Sequence, residues 1–513
     1  MKRIILIITV IAAAIMELID TSIVNVALNY MSGNLGATLE DTSWVVTAYG
    51  IANVIIIPMT SFLVNNLGRR NYYIGSILMF TLCSFMCGNS GNIWELVAFR
   101  FLQGIGGGAL LSVSAMVVYE SFPKEKQNVA SALFGIGVFI GPTIGPTLGG
   151  YITEHFSWPW IFYINIPIGI LTAISCYSLL QESPTRQKVE SIDWWGIIFL
   201  IIGVGSLQTV LERGETDDWF EARYIIVLTV SAVFALILFV YRELTTEHPV
   251  VKLSVLKYPS LSISAILTFV TGIGMFTSIY LTPILTQRFL GFSPTQAGLI
   301  LLPGSIIAVV ALIFTGKLLQ KGVPSALIVL LGFLCFIYFN WSMAQSNLQV
   351  SFASISINLI FRAVGMALLT VPLATLAVSA LEPGDMQQGA AINNMMRQLG
   401  GSFGISILNT YVTRSVATHR VDLISNIRYD NSLAMERLQD YTSLFVSKGA
   451  TLYDAQQKAL ALMEKSVVKQ SMFVSYLDGY LFIGSLFLLA MPLLLFFLRK
   501  GKGKKVVAVQ VDH

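Results

Sequence analysis

The sequence predicts an all-α integral membrane protein of fourteen spans, arranged as two six-helix bundles with two further helices inserted between them. Three observations predict it. Of 513 residues, 55% are hydrophobic and only 12% charged, about half the charged share of an ordinary soluble domain. Apolar segments long enough to cross a bilayer, which takes about 20 residues, recur along most of the chain. Short pieces of the first third also return in the same order about 260 residues later.

The apolar segments lie near residues 4–28, 44–64, 72–88, 93–118, 128–152, 159–180, 194–211, 223–241, 260–283, 296–315, 324–343, 350–372, 388–411 and 477–498. An even number places both termini on one side. Tails and even-to-odd loops hold about 18 Lys and Arg, among them Arg69, Arg70, Lys124, Lys126, Arg186, Lys188, Lys252, Lys317, Lys321 and the run Arg499 to Lys505. The opposite short loops hold about three. Positive residues accumulate on the cytoplasmic side, so both termini are expected there. Lys2, Arg3 and the apolar run to Ala14 imitate a signal peptide. The run resumes beyond Asp20 through Leu28, long enough to span, so an uncleaved first helix is expected.

The repeat pairs Phe99-Arg100, followed by Gly104, Gly106, Gly108 and Ala109-Leu110-Leu111, with Phe361-Arg362, followed by Gly365, Ala367, Leu368 and Leu369. Just before spans five and thirteen, Gln127-Asn128-Val129-Ala130-Ser131 pairs with Gln387-Gln388-Gly389-Ala390-Ala391. The offset equals eight helices. The expected organisation is a first bundle over 1–180, an inserted pair with its loops over 181–258, a second bundle over 259–498 and a basic tail over 499–513. Duplicated halves around a midplane site are the usual plan of secondary transporters. Within the second bundle, 412–476 is expected to be a polar outer loop with helix-forming sequence at Leu452–Val468, serving as a solvated cap or a docking surface.

Chemistry-bearing groups are few. Cys83, Cys87, Cys176 and Cys335 lie in apolar runs without ligand spacing and read as small buried hydrophobes. The histidines at 155, 248, 419 and 513 do not cluster. No nucleotide-binding loop appears, which argues against direct ATP drive. A membrane-embedded transferase would need a convergent nucleophile, base or metal set, and none has the required spacing.

The ionisable residues inside spans are Glu17, Asp20, Arg100, Arg362 and Arg397. A charge near the bilayer centre costs on the order of 2.5 to 3.5 kcal/mol, so each calls for a partner or a cavity. Glu17 and Asp20 stand three apart on one helix face, an arrangement suited to binding and releasing a proton. A buried ion pair that only fixes packing is the other reading. Arg100, with Gln103 one turn on and Gly104 beside it, can grip a carboxylate, tune Asp20 or lock two helices. Arg362 is expected to take the corresponding part in the second half. Arg397 precedes Gly400-Gly401 and Gly404, a close-packing stripe. Trp44, Tyr49, Phe276, Tyr280, Met395 and Met396 line a greasy cavity or pack against lipid and neighbours.

Span five reads GIGVFIGPTIGPTLGG from Gly135 to Gly150. Gly137, Gly141, Gly145 and Gly149 recur every four residues, making one stripe without side chains, while Pro142 and Pro146 interrupt the ladder. In a membrane such a stripe lets another backbone approach closely. Either it packs one helix pair, or the two bundles pivot and seal along it.

Three stretches resemble the major facilitator superfamily, and within it the fourteen-helix drug:proton antiporters of the EmrB/QacA type. Leu18-Ile19-Asp20-Thr21-Ser22-Ile23-Val24-Asn25-Val26-Ala27-Leu28 resembles that branch's first-helix motif around its embedded acid. Arg100-Phe101-Leu102-Gln103-Gly104-Ile105-Gly106-Gly107 resembles the fourth-helix motif with its proton-transfer arginine. The stretch with Gly141-Pro142 and Gly145-Pro146, ending in Gly149-Gly150, resembles the motif that separates exporters from importers. The resemblance covers essentially the whole chain. It implies the major facilitator fold and proton-coupled efflux of amphipathic or hydrophobic drugs across a bacterial cytoplasmic membrane, and Glu17 beside Asp20 puts small cationic compounds among the expected substrates. The proton gradient would be the energy source, without a cofactor, metal or nucleic acid. Asp20 and Glu17 would couple protons with Arg100, while Asn25, Gln103, Gly104, Arg362 and Arg397 are binding or packing candidates. Some members of that branch work with a periplasmic adaptor and an outer-membrane channel, for which 412–476 would serve as the contact. A metabolite or fatty-acid transporter on the same scaffold is the alternative.

The loop between spans two and three departs from the superfamily's pattern. It reads Ser61-Phe62-Leu63-Val64-Asn65-Asn66-Leu67-Gly68-Arg69-Arg70, with Asn65 where the family has an aspartate. The latch assigned to that aspartate cannot form, so a weaker inner gate or a substitute contact around Gly68, Arg69 and Arg70 is expected. An Asn65→Asp variant should therefore change transport rates, and unchanged initial rates in vesicles would exclude a gating role for this loop.

Overall fold

The computed structural model describes residues 2–123, 127–182, 192–382 and 385–500. Lys124, Lys126, Arg186, Lys188 and residues 501–513, which enter the loop-charge argument above, lie outside the described residues. Every regular element among the described residues is helical. The first half comprises α1 (Lys2–Leu35), α2 (Leu39–Leu67), α3 (Arg69–Gly88), α4 (Ile93–Glu120), α5 (Gln127–His155), the short α6 (Trp160–Tyr163) and α7 (Asn165–Leu179). α8 (Trp194–Arg213) and α9 (Arg223–Thr245) follow. The remainder comprises α10 (Pro259–Pro283), α11 (Pro294–Leu299), α12 (Leu302–Gln320), α13 (Ser325–Ala344), α14 (Phe352–Ser379), α15 (Met386–Ser425), α16 (Ser432–Ser447) and α17 (Leu452–Lys500).

Among the described residues, thirteen stretches are long and apolar enough to cross a membrane. The remaining expected span, 388–411, is α15. It is long enough but polar, because Gln388, Asn393 and Asn394 are buried among neighbouring helices rather than facing lipid. Helix starts follow the usual capping chemistry, with Thr38, Asn92, Ser351 and Asn431 each accepting a bond from the first turn. Prolines 58, 142, 146, 372 and 492 sit inside helices, as tightly enclosed membrane helices tolerate.

Glycine stripes set the packing within each half. A Cβ on Gly141 would stand 2.5 Å from that of Leu18, one on Gly149 2.7 Å from Ile23 Cγ1, and one on Gly137 3.1 Å from Ile11 Cγ2. Gly145 presses on Ser22. The stripe therefore seats α5 on α1, the helix that carries Glu17 and Asp20. Its counterpart seats α15 on α10, with Gly400 against Phe269, Gly401 against Phe276 and Gly404 against Ile273. Equivalent helices pair in both halves, as the repeat in the sequence implies.

The opposite face of α5 meets the second half. Gly135 stands against Leu312, and Thr147 against Gly298. Ser131 and Thr375 share a 3.0 Å hydrogen bond near one end of α5, and Thr295 donates to Glu154 at 2.9 Å near the other. The two readings of span five thus divide by residue type: its glycine stripe packs within a half, and the seam between halves uses other positions. α8 and α9 pack together through Gly203 and Leu236. α8 also bridges the halves. Arg213 donates to Ser43 of α2 at 2.8 Å, while Gln208 donates to Ser402 of α15 at 2.7 Å.

The region 412–476 corrects the sequence reading, since it is not a loop. α15 continues to Ser425, α16 follows, and α17 runs unbroken from Leu452 into the last span. No glycine or proline lies between Gly404 and Gly449; the helix breaks over 426–431, between α15 and α16, and again at Gly449, at φ +87°. Asp478 holds His419 at 2.6 Å and Glu464 holds Arg420 at 2.5 Å, tying the α15 extension to α17. α16 has no buried residue.

Widening the stripe should break the α1–α5 seat. Gly145→Leu is expected to destabilise the purified protein by about 1–3 kcal/mol, as overpacking does, read as a lowered thermal midpoint. Gly33, whose Cβ direction is open, is the control. Equal midpoints for Gly145→Leu and Gly33→Leu would refute the assignment.

Candidate functional site

The buried charges of the first half converge where α1, α2, α4 and α7 meet. Arg100 Nη1 stands 2.5 Å from Asp20 Oδ2, and neither side chain has any exposed surface. Arg100 also donates through Nη1 to Gln103 Oε1 at 2.9 Å and through Nε to the Val45 carbonyl at 3.2 Å. Gln103 closes the ring by donating to Asp20 Oδ1 at 3.1 Å. Asp20 Oδ1 receives a further bond from Asn165 at 2.8 Å, whose amide also donates to Ser84 at 3.0 Å. The Ser84 hydroxyl in turn donates a hydrogen bond to the Phe162 carbonyl at 2.9 Å. Asp20 is thus surrounded by donors from α4 and α7. The guanidinium lies over the Tyr49 ring at 4.1 Å and the Phe162 ring at 5.7 Å.

Glu17 is adjacent but differently held. Its Oε1 accepts from Tyr49 at 3.1 Å and from Asn53 at 3.0 Å. Its Oε2 and Arg100 Nη2 are both buried without a hydrogen-bond partner. Tyr49 links the two carboxylates, since its hydroxyl serves Glu17 while its ring covers the arginine of Asp20.

The close approach of α2 and α4 makes this geometry possible. Gly104 faces the Tyr49 carbonyl and Gly108 the Asn53 carbonyl, where a Cβ would come within 2.5 and 2.9 Å. The structure thus joins Asp20, Glu17, Arg100, Gln103 and Gly104, while Gly137, Gly141, Gly145 and Gly149 pack behind α1. Gly150 is also buried. Asn25 is not part of the cluster; it is exposed and reaches only the Thr21 carbonyl, at 3.4 Å.

Pro142 and Pro146 line a cavity of about 20 Å³ between the halves, together with Arg362. Arg397 lines a second, of about 10 Å³. Arg362 does not repeat the part of Arg100. No acidic residue occurs between Glu247 and Glu382, so the second half offers no equivalent of Asp20.

The loop at residues 61–70 is held by substitute contacts. Gly68, at φ +88°, closes α2. Arg69 pairs with Glu120 and donates to the Gln181 carbonyl, while Arg70 donates to the Tyr177 carbonyl at 2.6 Å. Asn65 is half-buried in the last turn of α2. These arginine bonds all lie within the first half. Beside them a vestibule of about 570 Å³ opens between the halves, lined by Lys2, Arg69 and Glu120 on one side and Met386 and Gln387 on the other.

Residues 10–405 match the Major Facilitator Superfamily. The chain belongs to that superfamily, in the branch of EmrB. It is 31% identical over 484 residues to the multidrug export protein EmrB of Escherichia coli K12, covering 94% of this chain and 93% of that one. It is 30% identical over 481 residues to the fatty acid resistance protein FarB of Neisseria gonorrhoeae, with the same coverage. Among solved structures, the proton:xylose symporter XylE superposes with a TM-score of 0.60 at 14% identity, covering 96% of this chain and 95% of XylE. As a member of the superfamily the protein is a multi-pass membrane transporter and not an enzyme.

Sequence reasoning missed Asn165, Ser84 and Asn53. For Asn165 a signal existed, a lone amide in the apolar run from Trp160 to Leu171. It also missed Glu212 of α8, which accepts from Gln208.

Removing one partner of a buried ion pair costs about 3–5 kcal/mol, because the other charge is stranded. Arg100→Gln should therefore unfold at a markedly lower temperature than the native chain, and Asp20→Asn combined with Arg100→Gln should regain most of the loss. A double variant no more stable than Arg100→Gln alone would show that the pair does not set local stability.

Proposed function

We propose that the protein exports amphipathic or hydrophobic compounds, drugs among them, across a bacterial cytoplasmic membrane in exchange for protons. Both termini face the cytoplasm in this reading. The observation that carries it is the Asp20–Arg100 pair, a carboxylate with no exposed surface held by donors from two other helices. The EmrB relatives, named as multidrug exporters, supply the direction and the substrate class.

Protonation removes the charge of Asp20 and with it the charge-assisted bonds from Arg100. The guanidinium is then uncompensated in an apolar setting, a state that cannot persist with α1, α4 and α7 as they stand. Relief comes from moving α1 relative to α4, and α5 must follow because its glycine stripe is seated on α1. α5 contacts the second half near both ends, so a local proton event reaches the seam between the halves. A proton drives the cycle only if it stabilises one facing state over the other. A site whose hydrogen bonds depend on the charge of Asp20 meets that condition.

Glu17 acts with Asp20, and its partnerless oxygen is the second acceptor for a proton entering the cluster. The helical projection formed by α16 and the adjoining parts of α15 and α17 is the surface for a periplasmic adaptor.

Inverted vesicles containing the protein should release protons when a transported compound is added, and Asp20→Asn should abolish that release. The same variant should retain substrate exchange without a gradient, since exchange needs no net proton turnover. Proton release surviving in Asp20→Asn would remove Asp20 from the coupling step.

A further inference from the structure

Among the described residues of the second half, two arginines within the spans, buried Arg362 and half-buried Arg397, have no group to neutralise them. Arg362 of α14 is only 7% exposed and has no hydrogen bond or ion pair among the described residues. The titratable side chain beside it is the neutral phenol of Tyr480, whose hydroxyl is itself buried without a partner. Arg397 of α15 has Nη1 buried and unpartnered, with the Tyr119 phenol as its titratable neighbour.

Acids of the second half cannot reach them. None occurs between Glu247 and Glu382, and Asp385 is taken by Lys252 at 2.7 Å. Asp478 is taken by His419. In the first half, Asp20 already has its arginine, while Glu17 is held by Tyr49 and Asn53. An unpaired guanidinium in an apolar interior is unfavourable and is expected to face a ligand or a water-filled path.

Both arginines open onto one seam. The Arg362 cavity is bounded by Pro142 and Pro146 of α5 and Met366 of α14. The Arg397 cavity is bounded by Val138 of α5 and Thr370 of α14, one turn further along the same two helices. Both are too small for an organic substrate as the halves now stand. They mark where α5 and α14 must part when the transporter opens. Each cavity sets a guanidinium without an acidic partner on the same seam, and that arrangement suits one chemistry.

We propose that Arg362 and Arg397 form an anion site between the halves, which takes the carboxylate or sulfonate head of an amphipathic compound while its apolar tail lies along Pro142, Met275 and Met366. This refines the substrate class and rests on the reading of the protein as an exporter. A planar guanidinium pairs with such heads through two parallel hydrogen bonds.

The test is equilibrium binding to the whole protein in lipid nanodiscs without a proton gradient, using radiolabelled dodecanesulfonate, dodecyltrimethylammonium and dodecanol. Dodecanesulfonate should bind tighter than both controls of equal chain length. Arg362→Gln and Arg397→Gln should each weaken it by roughly tenfold or more, the usual loss of a bond to a charged group. Dodecanol binding should not change, and Arg362→Lys should recover part of the sulfonate affinity. Sulfonate binding no tighter than dodecanol, or a Gln variant that weakens all three equally, overturns the proposal. Should a Gln variant fail to fold, the order of the three probes on the native chain decides. Because no gradient is used, loss of proton coupling in vesicles would sink the exporter reading alone, and loss of charge selectivity here would sink the anion site alone.

Discussion

The Asp20–Arg100 ion pair is the constraint on which the first half is built. Neither group has exposed surface, so removing either would strand the other in the interior. Four helices are recruited to satisfy them: α1 and α4 supply the pair, α2 a backbone carbonyl and an aromatic ring, and α7 an amide. The glycines of α4 exist in this arrangement to bring α2 close enough for Tyr49 and Asn53 to reach Glu17. The glycines of α5 then hold α1 from behind. Much of what reads as packing in this half is the enclosure of one ion pair.

The inserted helices follow a different logic. α8 joins α2 and α15, so it spans the line along which the halves must separate. The connection to α9 adds Trp219, which reaches Thr410 of α15 at 3.2 Å, and beyond α9 Lys252 holds Asp385 just ahead of α15. Burial alone would raise the affinity of Glu215 for a proton, yet hydrogen bonds from Thr410 and Trp219 outweigh it and leave its carboxyl below the usual range. That carboxylate stays charged and fastens the same connection to α15. The pair is a strap across the seam at two levels and not a passive addition to the rim.

Legibility in the sequence followed the physics of each feature. Asp20, Arg100 and the glycine stripe were readable because a charge or a run of glycines in an apolar span is rare and needs a reason. The repeat was readable because duplicated halves keep small residues at the same helix crossings, as Gly106 of α4 does against α3 and Gly365 of α14 against α13. Asn165 and Asn53 were not singled out, since an amide in an apolar run is common and its partner lies more than a hundred residues away in one case. The helical character of 412–476 was only partly visible. Its polarity suggests a loop, although the absence of glycine and proline between Gly404 and Gly449 leaves room for the helices that form on either side of 426–431. α15 shows the converse, a span read correctly at 388–411 although its hydropathy is weak, because its polar residues face protein.

The two halves, alike in backbone, are opposite in charge. The first encloses two carboxylates around one arginine, and the second encloses two arginines around none. The proposed exchange needs the two ligands to occupy the protein in turn, and separate groups make that alternation a property of the movement between the halves. Placing carboxylates on α1 and guanidiniums on α14 and α15 separates the tasks, and the seam between them is where either ligand alters the balance. In the proposed exchange the proton and the compound occupy the protein in turn, so the loaded seam crosses with Asp20 charged and the empty seam crosses with Asp20 protonated. The opposed charges of duplicated halves thus give a physical route by which a proton and an anion can act on the same movement from different sides.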